Sequence, residues 1–118
     1  MLQHVTLEIP RDRVDACVAF WGLLGFRPLV VPGPLRDRFV WVGREGTQIH
    51  LAPVEEPVIP PRGHAAVVGD PEPLRAAGFD PQPGSDAWGA PRWFVHDPAG
   101  HRVEIMSAPP PSEPQPAV

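Results

Sequence analysis

A chain of 118 residues with a formal net charge of −4 has room for one compact domain and no basic surplus with which to hold nucleic acid. All ten basic residues are arginine and tyrosine is absent, which removes lysine Schiff-base chemistry and any phosphate-gripping lysine. The single cysteine, Cys17, allows no intrachain disulfide, and no apolar run is long enough to span a bilayer, so a cytoplasmic protein without a membrane partner is expected.

In "LQHVTLEI" the residues Val5, Leu7 and Ile9 alternate with His4, Thr6 and Glu8, the period-2 pattern of a half-buried strand. "RDRVDACVAFWGLLGF" places Val14, Cys17, Val18, Trp21 and Leu24 at helical spacing, with Asp12 as the expected N-cap and Gly25 closing the helix in a left-handed conformation. Cys17 then reads as a core filler, not a nucleophile. "RPLVV" reads as a strand, "PGPLRD" as a loop, and "RFVWVG", "REG" and "TQIHLA" as strand, turn and strand. The first module is therefore β-α-β-β-β over about residues 1–53.

A proline-rich linker spans 54–63, and the same order recurs over 64–108. "HAAVVG" is a strand and "DPEPLRAAGF" a short helix with Asp70 as cap and Gly78 at its end. "DPQPGSDAWGAP" holds only a short strand or a mobile loop, and "RWFVH" and "HRVEIM" form the closing hairpin. The tail at 109–118 is too proline-rich to bury anything and is expected to be disordered.

The halves can be laid on each other. Residues 38–50, "RFVWVGREGTQIH", align without a gap on 92–104, "RWFVHDPAGHRVE", so that Arg38 meets Arg92 and His50 meets Glu104. His4 likewise corresponds to His64. The fold expected is α+β: two tandem βαβββ modules forming a curved mixed β-sheet cup, with the helices on its outer face. Strand parity puts His4, His50, His64 and Glu104 on the inner face, since their neighbours Val5, Ile49, Leu51, Val103 and Ile105 suit the helix-covered side. Three imidazoles and a carboxylate are a donor set for a divalent metal ion, with Zn, Ni, Fe, Mn and Co as candidates. Of the remaining residues, His96 and His101 flank the second turn and are expected to be solvent-exposed, with His101 a weaker candidate for acid-base work. Arg38 and Arg92 read as strand-surface residues. Trp41, Trp88 and Trp93 could line a ligand cup, Trp88 as part of a lid.

The stretches "LQHVTLEI", "VAFWGLLGFRP" and "FVHDPAGHRVEIM" carry a resemblance to the vicinal-oxygen-chelate superfamily, the glyoxalase, bleomycin-resistance and extradiol-dioxygenase group, over about residues 2–107. The resemblance implies a single glyoxalase-like domain over 1–108 that works as a homodimer on a small-molecule substrate. Carried over by position, His4, His64 and Glu104 match its common three-ligand pattern, while His50 stands where glyoxalase I-like members usually have a glutamate. It implies a metal-dependent enzyme of lyase, isomerase or epimerase type, with Glu104 as the catalytic proton carrier. The same group offers an extradiol-type dioxygenase or a thiol transferase as alternatives, and a non-enzymatic drug-binding resistance protein as another. The dioxygenase ranks lower because the tyrosine usual beside its iron has no counterpart here.

Overall fold

The computed structural model describes residues 1–117. Its elements follow the expected order twice. The first module has β1 (His4–Pro10), a 3-10 turn (Arg11–Arg13), α1 (Val14–Leu23), β2 (Arg27–Leu29), β3 (Val40–Arg44) and β4 (Thr47–Val54). The second has β5 (His64–Val68), α2 (Glu72–Ala76), β6 (Gln82–Pro83), β7 (Arg92–His96) and β8 (Arg102–Met106). Residues 109–117 form no helix or strand and are exposed, and Val118 lies outside the described residues. No helix among the described residues is long and apolar enough to cross a membrane.

Each module builds its own four-stranded mixed sheet, in the orders β1-β4-β3-β2 and β5-β8-β7-β6. The first strand of each module runs parallel to the last, and the hairpin strands run antiparallel. β1 and β5 therefore end their sheets, and among the described residues no strand of one sheet pairs with a strand of the other.

Local chemistry explains most of these boundaries. The turn between β3 and β4 is the dipeptide Glu45-Gly46, both with positive φ, as the twist of a two-residue hairpin requires. Gly25 has φ +89° after α1, the left-handed stop expected there. Asp70 also behaves as expected: its carboxylate accepts the Glu72 N–H at 2.9 Å at the start of α2. Asp12 does not cap α1. The chain first makes the 3-10 turn, which shifts the helix start to Val14, and no side chain caps it.

The core lies on the helix-bearing faces of both sheets and is shared by the modules. Trp21, Phe20 and Cys17 of α1 are buried with Ile9, Val42, Ile49 and Leu51 of the first sheet and Val95, Val103 and Ile105 of the second. Phe20 meets Phe79 of the second module edge to face at 5.2 Å. Each fully buried large apolar side chain of this kind contributes about 1.5–3 kcal/mol by leaving water. Polar ties add to the joint: Arg44 donates to the carbonyls of Leu24 and Val68, and Val58 N–H donates to the Glu8 carboxylate.

Candidate metal centre

Residues paired across neighbouring strands project to the same face, so register decides what His50 and Glu104 meet. In the first sheet His50 pairs with Thr6 and Trp41, and His4 pairs with Gln48. All five side chains therefore share the face away from the core. The rings form a stack, with Trp41 over His50 at 4.2 Å and His50 over His4 at 3.9 Å. His50 is buried and its Nε2 lies 2.7 Å from Gln48 Oε1, while His4 Nδ1 lies 2.5 Å from Gln3 Oε1. Burial, and then the neighbouring His4 ring, lowers the His50 pKa, which favours the neutral imidazole that a metal takes. Gln3, His4, Leu35, Phe39, Trp41 and His50 are among the residues bounding an open cavity of about 500 Å³.

The second sheet repeats the arrangement. Glu104 pairs with Ala66 and Phe94, and His64 pairs with Arg102. His64 thus stands two residues before the partner of Glu104, just as His4 stands two residues before the partner of His50. Their contact is direct, with His64 Nε2 3.0 Å from Glu104 Oε1. The Arg62 carbonyl lies 2.9 Å from His64 Nδ1, so Nδ1 donates to it and Nε2 turns its lone pair toward the carboxylate. A lone pair facing a carboxylate oxygen at that distance calls for a cation between them, a proton or a metal ion, and the donor chemistry fits a metal.

Parity thus places all four expected residues on the sheet faces turned away from the helices, in two pairs, His4 with His50 and His64 with Glu104. Among the described residues no three His, Cys, Asp or Glu side chains come together to hold a metal within one chain. His96 is exposed, as expected. His101 is not: it is buried, and its Nε2 donates to the Glu8 carbonyl at 2.6 Å, tying the second hairpin to β1. The turn folds inward because Asp97 Oδ1 accepts the Ala99 and His101 N–H groups while Gly100 takes φ +97°. Trp88, in the Pro/Gly-rich loop, is half-buried with its indole N–H enclosed and unpaired.

Arg92, expected as a strand-surface residue, is instead drawn onto Glu104. Its Nη1 donates to Glu104 Oε2 at 3.3 Å, its Nε and Nη2 donate to the carbonyl and hydroxyl of Ser85, and its guanidinium lies 5.0 Å from Trp88 and 5.3 Å from Phe94. The gapless alignment that matched it to Arg38 slips on this strand. Four residues separate the paired Gly43 and Gln48, but five separate His96 and Arg102, so the second hairpin is one residue longer. The true counterpart of Arg92 is Phe39, and Arg38 is exposed. The corrected offset was recoverable from the turn sequences, "REG" against "DPAG".

Neither a protein-family model nor a curated protein matches this chain. Solved structures do. A Bacillus anthracis protein assigned to the glyoxalase family superposes with a TM-score of 0.81 at 23% identity, covering 90% of this chain and 93% of its own. A lactoylglutathione lyase from Agrobacterium tumefaciens gives 0.68 at 16% identity, with coverage of 90% and 92%. A glyoxalase/dioxygenase from Nostoc punctiforme gives 0.68 at 19%, with coverage of 90% and 89%. Two βαβββ modules with this strand order, matched over nine-tenths of the chain by such structures, give the protein the fold of the vicinal-oxygen-chelate superfamily.

Proposed function

We propose that the protein is a metal-dependent enzyme of the vicinal-oxygen-chelate type, a lyase, isomerase or epimerase acting on a small oxygenated compound, and that it works as a homodimer. The observation that carries this reading is the register equivalence of the two donor pairs. Each module offers two donors at matching positions, and among the described residues neither pair has a third His, Cys, Asp or Glu beside it. Two copies related by a twofold axis would complete two sites, each joining His4 and His50 to the partner's His64 and the partner's Glu104. A divalent ion held there, Zn, Ni, Fe, Mn or Co, supplies Lewis acidity toward a pair of adjacent substrate oxygens.

The chain's own residues supply the rest. Glu104 is the only carboxylate among the four donors and is the group that takes and returns the substrate proton. Arg92 holds one oxygen of that carboxylate and leaves the other facing His64. Trp41 and Phe39 bound the apolar side of the cavity, where they limit water. The aromatic lining also supports a second reading, sequestration of a planar compound without chemistry.

Metal analysis separates the two. After incubation with Co(II), Ni(II) or Zn(II) and desalting, the enzyme reading expects about one metal per chain, which the symmetry of two shared sites requires, and loss of it in His64→Ala. No retained metal, or retention unchanged by His64→Ala, would leave sequestration as the function.

A further inference from the structure

We propose that Arg102 seats a substrate carboxylate, so that the compound taken by this site is a small organic acid; this deepens the function proposed above and rests on it. Arg102 pairs with His64 across the β5–β8 ladder and stands two residues before Glu104, so all three share one face. Its guanidinium sits 3.9 Å from the centre of the Phe94 ring, and His64 meets the same ring edge-on at 5.4 Å. Phe94 thus fixes Arg102 beside the donor pair.

The two arginines around Phe94 differ in one respect. Arg92 has all its nitrogens engaged, by Ser85 and Glu104. Arg102 has no carboxylate within ion-pairing distance among the described residues, and its N–H groups meet no protein acceptor. A half-buried guanidinium with its planar fork free is a bidentate receptor for a carboxylate. Among the described residues the only acid that the first module's strands carry on the face away from the helices is Glu8, which accepts the Val58 N–H on Oε1 and makes no ion pair with Arg102. A divalent metal ion and two guanidiniums against one carboxylate also leave the site positive on a chain of net charge −4. A negatively charged ligand would offset that charge.

The test uses Co(II)-loaded protein and two probes, 2-oxoglutarate and 2-oxopentanoate, which share a chelating 2-oxo acid end and differ by one distal carboxylate. Calorimetry should find 2-oxoglutarate bound at least about tenfold tighter by the native protein, the worth of one charge-assisted contact. Arg102→Gln should bring the two probes to within about twofold while leaving Co(II) affinity unchanged. Equal affinities in the native protein, or a preference that survives Arg102→Gln, would overturn the proposal. Failure of both proteins to take up Co(II) would overturn the metal reading instead. Should Arg102→Gln not fold, the Arg102 Nε–H resonance of the native protein gives the answer: it must shift with 2-oxoglutarate and not with 2-oxopentanoate, and the absence of that difference refutes the assignment.

Discussion

Glu104 is a buried carboxylate whose two oxygens have different neighbours, His64 on one and Arg92 on the other. A buried charge needs such partners, and the partner outside the ligand set tunes how the ligand binds. Arg92→Gln should weaken metal binding by about 10- to 100-fold, measured by chelator competition, because the free carboxylate oxygen loses its anchor. Cys17 is a different case: burial first, then the nearby Asp97 charge, pushes its thiol up to about 12. It should resist alkylation by iodoacetamide at pH 8 in the folded protein and react on unfolding in urea. Burial, above all, pushes the Asp97 carboxyl up from its ordinary value, and its Oδ2 has no partner among the described residues. A raised folded value means that its stabilising contribution is complete below the unfolded carboxylate value and is lost as pH rises through the folded one. Asp97→Asn keeps the Oδ1 acceptor, so its stability relative to the native protein, followed by urea unfolding from pH 3 to 7, should rise with pH. At this scale the placing of His4 with His50, and of His64 with Glu104, on the sheet face away from the core was legible from strand parity. Arg92 and His101 were not, because their surroundings depend on turn length and on contacts between residues far apart in sequence.

The elements were legible almost throughout, since each carries its own stop and start. Gly25 shows why. Its φ of +89° lies where an L side chain is strained, and a Cβ there would stand 3.4 Å from the Arg44 side chain. Gly25→Ala should cost about 1 kcal/mol or slightly more in urea unfolding, with little change in metal binding. α1 is anchored by fully buried Trp21, and Trp21→Ala should cost about 3–5 kcal/mol, enough to unfold a marginal domain. The start of α1 was misread because Asp12 has the right chemistry for a cap, while the Arg11–Arg13 backbone instead winds into a 3-10 turn. β2 also stops at Leu29, short of the five residues its apolar run suggested. The ladder with β3 ends at Leu29 opposite Trp41, although β3 itself starts one residue earlier at Val40, so Val30 and Val31 leave the strand unpaired.

At the scale of the molecule, the modules share a core and yet leave their donor pairs separate. Sequence could show that two halves existed and what each offered, but which module faces which is decided by packing between distant segments. A mixing experiment addresses it. Chains carrying His4→Ala and His50→Ala, combined with chains carrying His64→Ala and Glu104→Gln, should each bind no metal alone. Refolded together at equal concentration they should recover about a quarter of the native capacity, because half of the dimers are mixed and each mixed dimer holds one intact site. Sites built within one chain would recover none. Sedimentation should show a dimer in the native protein and in the mixture.

The longer second turn also sets the two modules apart. With turns of equal length, the arginine that opens each segment would hold the same place, and Arg92 would lie one step earlier, on the opposite side of its strand. Because the two segments are equal in length, the extra residue of the second turn comes out of its strand, which draws Arg92 one step toward the turn and beside Glu104, while Phe39 holds the matching place in the first module. A chimera in which residues 38–50 replace 92–104 would reverse that step: the two segments have equal length, yet the transplanted arginine would leave the site and the joint with Pro91 would carry one surplus residue.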